Sequence, residues 1–319
     1  MKTVYLVLPC YNEELVLEDS CEKLTVLLEG LISEGKITPD SKAVFVNDGS
    51  TDLSWKILND ICQKNHLFGA ISLAHNSGHQ NAILAGMLKV KDECDAVITL
   101  DADLQHDISM IPKFIEKYEE GYEVVYGVRK SRKGEGFIKK MTGDAFYGVM
   151  KMFGADIIKN HADYRLMSSK VIRALEKYEE VNLFLRGIIP KIGYASTILE
   201  YEEKPRLAGE SKYSMSKMLK LASDGITSFS IKPLHMIFVS GLFFFVVSIV
   251  MIIYALVVAI SGGTVPGWTS IVGPLWLLGG VILLGLGIAG EYIGKIYMET
   301  KHRPRYEIDE YIKNGENIN

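Results

Sequence analysis

Along the first 130 positions, short apolar runs alternate with stretches whose apolar residues recur every third or fourth place. Thr3–Leu8 (TVYLVL), Ala43–Asn47 (AVFVN), Gly69–Leu73 (GAISL), Ala96–Leu100 (AVITL) and Glu123–Val128 (EVVYGV) predict strands. Between them, Leu15–Ser33, Asp52–Asn65, His79–Lys89 and Ile108–Glu120 carry helical spacing. Strand, helix, strand in repetition argues an α/β domain with a mostly parallel sheet covered on both faces. Ligands of such sheets bind beyond the carboxyl ends of the strands.

The pattern changes after Lys232. Met236–Ile260 contains no charged residue and exceeds the roughly 20 positions a helix needs to cross a bilayer. Ile271–Tyr297 is Gly-rich and uncharged up to Glu291, and reads as a second span in which the glycines admit a close helix neighbour. The connector Ser261–Ser270 has no charge, whereas Lys232 precedes the first span and Lys295, Lys301, Arg303 and Arg305 lie at or beyond the end of the second. That asymmetry predicts both flanks, and hence the large domain, on the cytoplasmic face of a plasma membrane.

The expected organisation is therefore a catalytic-type domain over 1–213, a juxtamembrane helix over 214–235, a two-helix transmembrane anchor over 236–297 and a cytosolic tail over 298–319. In the juxtamembrane segment Met215, Met218, Leu219 and Ala222 share a face with lysines opposite, which suits a helix in the headgroup plane; an amphipathic core helix is the alternative. Ser131–Gly136 is expected to be a mobile loop and Phe137–Gly154 a helix, and the polar tail after Tyr306 is expected to be solvated.

Composition narrows the function classes. A formal net charge of -4 over 319 residues gives no reason to expect nucleic acid as partner. Cys10, Cys21, Cys62 and Cys94 show no metal-binding spacing and read as small core hydrophobes in a reducing compartment. The apolar N-terminus is cut short by YNEE, too early for a signal peptide.

Polar motifs follow three of the strands: PCYNE (Pro9–Glu13), NDGSTD (Asn47–Asp52) and DADLQH (Asp101–His106). Each alone is ordinary turn or helix-cap sequence. At one edge of one sheet they describe a site. Asp101 and Asp103 can offer oxygens to one hard cation, with Gln105 as a neutral third ligand, and such a donor set favours Mg2+ or Mn2+ bridging a diphosphate; capping of the next helix is the alternative for the aspartates. Asp48 is placed to accept from nucleoside hydroxyls or a base, Tyr11 to pack on a base and Glu13 to accept from it, while Asp52 is the better cap for the following helix.

In this order the three motifs resemble those of the family 2 glycosyltransferases, with the Rossmann-like GT-A nucleotide-sugar fold. Further segments, LAHNSGHQNAILAG (Leu73–Gly86), VVYGVRKSRKGE, DYRLMSSKV (Asp163–Val171) and RLAGESKYSMSKMLKLASDGI (Arg206–Ile226), resemble the polyprenyl-phosphate glycosyltransferases of the bactoprenol glucosyltransferase group, almost to Arg305. The resemblance implies inverting transfer of one hexose from a nucleotide-sugar to undecaprenyl phosphate. UDP-glucose is the first-choice donor, ahead of UDP-N-acetylhexosamine and GDP-mannose.

By position, Pro9, Tyr11, Glu13 and Asp48 would hold the nucleoside, and Asp101, Asp103 and Gln105 the metal and diphosphate, with Asp103 essential to catalysis. Two anionic substrates call for cations. Arg129 is the first choice for the acceptor phosphate, with Lys139 or Lys140 as a second clamp; the same basic run also reads as a solvated face or a contact to anionic lipid. The resemblance puts Asp163 on the acceptor side, orienting the acceptor or acting as base, unless it pairs with Arg165. Arg206 and Lys212 would reach the donor diphosphate from a closing loop. The family further suggests a homotetramer and a separate small flippase.

Two rivals are weaker. A processive synthase would carry Q-x-x-R-W, which is absent around Trp55, Trp268 and Trp276. A non-catalytic sensor or transporter subunit would need a pathway that two spans, charged only near Glu291, do not supply.

Overall fold

The computed structural model describes residues 1–130, 161–180, 184–202, 232–261 and 268–318. They fall into two units, one of residues 1–130, 161–180, 184–202 and 304–318, the other of 232–261 and 268–303.

In the first unit the apolar runs become β1 (Val4–Cys10), β2 (Lys42–Asn47), β3 (Phe68–Leu73) and β4 (Ala96–Thr99), every residue of them buried. Strands covered on both faces tolerate no polar alternation, which is why they read as continuous apolar stretches. The helical patterns become α1 (Leu17–Ser33), α2 (Ser54–Lys64), α3 (His79–Val90) and α4 (Ile111–Glu119), the last entered through a 3-10 turn at Ile108–Met110. There follow β5 (Val124–Arg129), β6 (His161–Ser168), α5 (Ser169–Glu176), α6 (Leu185–Ile192) and β7 (Ser196–Tyr201).

One face of the sheet, with Leu6, Leu8, Phe45, Tyr164 and Leu166, forms a core with Leu17, Leu24 and Leu28 of α1, Leu58 of α2 and Phe114 of α4. On the other face α3 lies close to the sheet at Gly86, where an added Cβ would meet Val7 Cγ1 at 2.5 Å and Val46 Cγ2 at 2.6 Å. Only glycine admits this approach, which holds the body of α3 close against β1 and β2.

The expectation of a mostly parallel sheet is corrected. With β8 (Ile308–Lys313) and β9 (Glu316–Asn317), the order among the described residues is β7-β5-β6-β4-β1-β2-β3-β8-β9. β1, β2, β3 and β4 pair in parallel, as do β5 and β7, but β6 runs antiparallel between β4 and β5, and β8 antiparallel along β3. The sheet is mixed. β6 escapes pattern reading because His161, Asp163 and Arg165 alternate with the core residues Tyr164 and Leu166. Polar side chains on the site face hide a strand that is otherwise regular.

The tail is corrected too. Instead of being solvated after Tyr306, the chain rejoins the first unit as β8, with Tyr311 and Ile312 buried. Tyr311 Oη donates to Glu93 at 3.1 Å, Lys313 Nζ pairs with the same carboxylate at 2.6 Å, and Lys42 Nζ donates to Asn314 Oδ1 at 2.8 Å. Tyr311→Ala should lower stability by about 3–5 kcal/mol, the cost of deleting a buried aromatic. Denaturant unfolding measures it, and a loss well under 1 kcal/mol would show that the strand contributes little.

The second unit contains α7 (Lys232–Ile260) and α8 (Trp268–Thr300), with Ile237 of α7 against Gly285 of α8. Among the described residues one helical stretch, Leu277–Thr300, is long and apolar enough to cross a membrane, and Lys232–Phe244 is a shorter apolar one. Of the expected juxtamembrane helix, 214–231 lies outside the described residues and 232–235 belongs to α7. The expected loop at 131–136 and helix at 137–154 also lie outside them.

Candidate active site

The three motifs do meet at the carboxyl edge of the sheet, where the loops after β1 and β2 are laced together. Asn12 Oδ1 accepts from Thr51 N–H at 2.9 Å, Asn12 N–H donates to Ser50 Oγ at 3.0 Å, and Glu13 N–H donates to Ser54 Oγ at 2.9 Å. Asp52 stands one residue before Leu53, the N-cap position of α2, rather than at the cap itself, and its carboxylate accepts from Ser54 N–H at 3.0 Å and also from Glu14 N–H at 3.2 Å. Burial works to raise its pKa, but these hydrogen bonds and that from the Ser54 hydroxyl outweigh it and the net shift is downward.

Pro9 is the penultimate residue of β1 and is paired within the sheet, and Tyr11, 43% exposed, stands just beyond the strand. Asp48 is buried, and its carboxylate accepts from Ser77 N–H at 2.7 Å and Gly78 N–H at 3.0 Å. Both oxygens thus already hold the loop before α3. Gly49, at φ +64, lies under that loop: a Cβ there would meet Asn76 N at 2.6 Å.

Asp101 follows β4. Its N–H donates to His106 Nδ1 at 3.3 Å, which puts the imidazole proton on Nε2, and that nitrogen is buried without a hydrogen-bond partner among the described residues, 3.7 Å from Asp101 Oδ2. Burial above all keeps His106 neutral by lowering its pKa. The ring stacks on Tyr164 at 5.0 Å and meets Tyr201 edge-on at 5.7 Å. Asp103 Oδ1 accepts from Gln105 N–H at 3.2 Å across a turn in which Leu104 has φ +48, a conformation uncommon outside glycine. Ser20 Oγ on α1 anchors the turn by donating to Ala102 O at 2.7 Å.

These residues fit a hard cation. Asp101 and Asp103 bring carboxylates, and Gln105 Nε2 is buried with no acceptor among the described residues. With the amide turned over, an assignment that hydrogen bonding alone decides, its oxygen takes that position. Among the described residues no three His, Cys, Asp or Glu side chains form a metal cluster. Two carboxylates and an amide oxygen, completed by substrate phosphates, are the donors that Mg2+ or Mn2+ accepts.

Asp163, on β6, is joined by residues that sequence reading did not select. It pairs with Arg165 Nη2, as the alternative reading had it, and also with Arg186 of α6, whose Nη2 lies 2.8 Å from Oδ2 and Nε 3.3 Å from Oδ1. Burial works against the charge, but Arg186, His79 and Arg165 hold the carboxyl well below its ordinary range. Such a carboxylate suits orientation better than proton uptake.

Arg165 is fully buried, and its Nε and Nη1 have no hydrogen-bond partner among the described residues. Beside it both ring nitrogens of His161 likewise have no partner among the described residues, and burial followed by Arg165 pushes the His161 pKa down to about 2. His79, the first residue of α3, places Nε2 3.6 Å from Asp101 Oδ1 and 3.6 Å from Asp163 Oδ2. Burial alone would lower its pKa, but the carboxylates of Asp163 and Asp101 more than offset this and the net shift is upward.

The signal for His79 was present: AHNSGH follows β3 at the same edge as the other motifs. Arg186 lies on a short helix with no motif around it. Arg129 ends β5, where its Nε donates to Tyr201 Oη at 3.3 Å. Lys139, Lys140, Arg206 and Lys212 lie outside the described residues. The four cysteines are free thiols, three of them buried.

The family model described as glycosyl transferase family 2 matches residues 5–176, from β1 to the end of α5. The chain is a family 2 glycosyltransferase. Uncharacterized glycosyltransferase YkoT of Bacillus subtilis (strain 168) is 47% identical to this glycosyltransferase over 304 residues, covering 95% of this chain and 90% of that one. The bactoprenol glucosyl transferase of Shigella phage SfV is 37% identical over 311 residues, 96% and 97% of the two chains. Glucosyl-3-phosphoglycerate synthase from Mycobacterium tuberculosis, solved with Mn2+ and UDP-glucose, aligns with 71% of the glycosyltransferase and 78% of its own chain at 15% identity and a TM-score of 0.44, too slight a likeness to carry an argument. The mixed α/β sheet with its site at the strand ends is the GT-A type of architecture.

Proposed function

We propose that this enzyme transfers one hexose, glucose from UDP-glucose in the first instance, to the phosphate of undecaprenyl phosphate at the cytoplasmic face of the membrane, with inversion at the anomeric carbon. The observation that carries the reading is the extent of the likeness to a bactoprenol glucosyl transferase, 97% of that protein's length, so that helices and site are matched together.

The chain path supports membrane residence with two crossings. α7 and α8 lie in sequence between β7 and β8, and both strands belong to one sheet. A chain that leaves a folded unit and returns to it crosses a bilayer an even number of times. The charged residues Lys295, Lys301, Arg303 and Arg305 lie where α8 gives way to that return.

The residues suit the chemistry. An oxygen of the acceptor phosphate attacks the anomeric carbon, and the bond to the donor diphosphate breaks with its electron pair leaving on the nucleotide. A phosphate monoester, with a second pKa of about 6, is already largely ionised at neutral pH, so no base is required. That agrees with an Asp163 held ionised by two arginines. Asp101, Asp103 and Gln105 would hold a Mg2+ or Mn2+ ion, whose contribution when bound is to neutralise charge on the departing diphosphate. Tyr11 packs on the base, Asp48 shapes the nucleoside pocket by fixing the loop at 75–78, and Arg129 offers its guanidinium to the acceptor.

Full-length protein in nanodiscs with undecaprenyl phosphate and a panel of labelled UDP-glucose, UDP-N-acetylhexosamines and GDP-mannose tests the proposal. Glycolipid should form from UDP-glucose and vanish with EDTA. Transfer from none of these donors, or transfer undiminished by chelation, would overturn the reading.

A further inference from the structure

The loop after β3 opens on the same sheet edge as the donor motifs, yet the reaction outlined above uses none of its side chains. From that loop α3 begins, and His79 reaches between two carboxylates that belong to different parts of the site. Asp101 follows β4 on the metal and diphosphate side, and Asp163 lies on the neighbouring strand β6 on the side expected to receive the acceptor. His79 Nε2 is 3.6 Å from an oxygen of each. Both contacts are longer than the hydrogen bonds that build the site, so this donor is in reach of both carboxylates and held closely by neither.

Three features make the position suited to an anion. The imidazole is open, its side chain 48% exposed, whereas Asp163 and Arg165 beside it are buried. Asp163 does not depend on His79 alone for neutralisation, because Arg165 and Arg186 also contact it. The backbone that delivers the ring is fixed from behind: Asp48 accepts from Ser77 and Gly78 N–H, and α3 lies against Val7 and Val46 at Gly86. A donor aimed by a rigid element needs little ordering when a ligand arrives.

We propose that His79 is a further substrate-contacting residue, its Nε2–H donating to a non-bridging oxygen of the acceptor phosphate at the seam between Asp101 and Asp163. The contact leaves another phosphate oxygen to attack the sugar and draws the two anionic substrates to adjoining places. It rests on the polyprenyl phosphate reading above and adds the residue that meets the acceptor from the β3 side.

The test compares wild type, His79→Ala and His79→Gln as full-length protein in nanodiscs, with undecaprenyl phosphate varied at saturating UDP-glucose and UDP affinity measured by calorimetry in Mn2+. Losing one hydrogen bond to a charged group should raise the KM for undecaprenyl phosphate about tenfold in His79→Ala. UDP affinity should be unchanged, and His79→Gln, which keeps an N–H donor, should recover most of the loss. An unchanged acceptor KM in His79→Ala overturns the inference while wild-type turnover leaves the functional reading standing. A fall in UDP affinity as large as the rise in KM overturns it by assigning His79 to the donor. Absence of transfer by wild type sinks the functional reading and this inference with it.

Discussion

Asp103→Asn is expected to lower kcat by about 10²–10³-fold, the scale on which a single group stabilising a transition-state charge acts. The substitution removes charge without volume, and the asparagine Oδ1 can still accept from Gln105 N–H, the 3.2 Å bond that shapes the turn. Folding should therefore be spared, and the melting temperature should stay near that of wild type. A second readout separates the metal role from a general effect on the turn: Mn2+ should strengthen UDP binding to wild type and lose that effect in the variant. Near wild-type turnover, or an intact metal dependence of UDP binding, would remove Asp103 from the cation site.

For Asp163→Asn the largest effect is expected on the fold itself, a loss of about 3–5 kcal/mol, because removing one member of a buried ion pair strands the other. Here two guanidiniums lose their carboxylate and one of them, Arg165, is fully buried. Urea unfolding of the variant measures the loss, and adding Arg165→Met should return part of it by removing the stranded charge.

The pH dependence follows from the direction of the shift. Asp163 has a folded pKa well below its ordinary 3.8, so its contribution is complete above about pH 4 and fades as pH falls toward the folded value. The stability gap between wild type and Asp163→Asn should hold steady near neutrality and narrow in acid. A variant as stable as wild type would mean that solvent reaches the pair and screens it.

Much of the site could be read without coordinates because strands buried on both faces announce themselves, and the loops that follow them carry the polar residues. β1, β2, β4 and the motifs after them were legible for that reason. Asp48 reads from the sequence as an acceptor for nucleoside hydroxyls or a base, whereas its oxygens serve the loop at 75–78, a bond between residues 29 positions apart that no local pattern signals. β6 was missed as a strand because its site face carries His161, Asp163 and Arg165. β8 was missed because an edge strand with charged positions resembles a solvated tail until β3 is seen beside it.

By itself the amino-acid sequence determined the alternation of strands and helices, two long apolar segments, and an aspartate pair placed where a strand stops. These are local properties, set by side-chain periodicity and turn chemistry within a few residues. Tertiary structure alone decided that β6 runs antiparallel between β4 and β5, that the chain returns from α8 to pair along β3, and that His79 contacts both Asp101 and Asp163 while Arg186 pairs with Asp163. Those facts depend on which strands pair across long separations, and electrostatic partners within 4 Å of each other leave no periodic trace in the chain that encodes them.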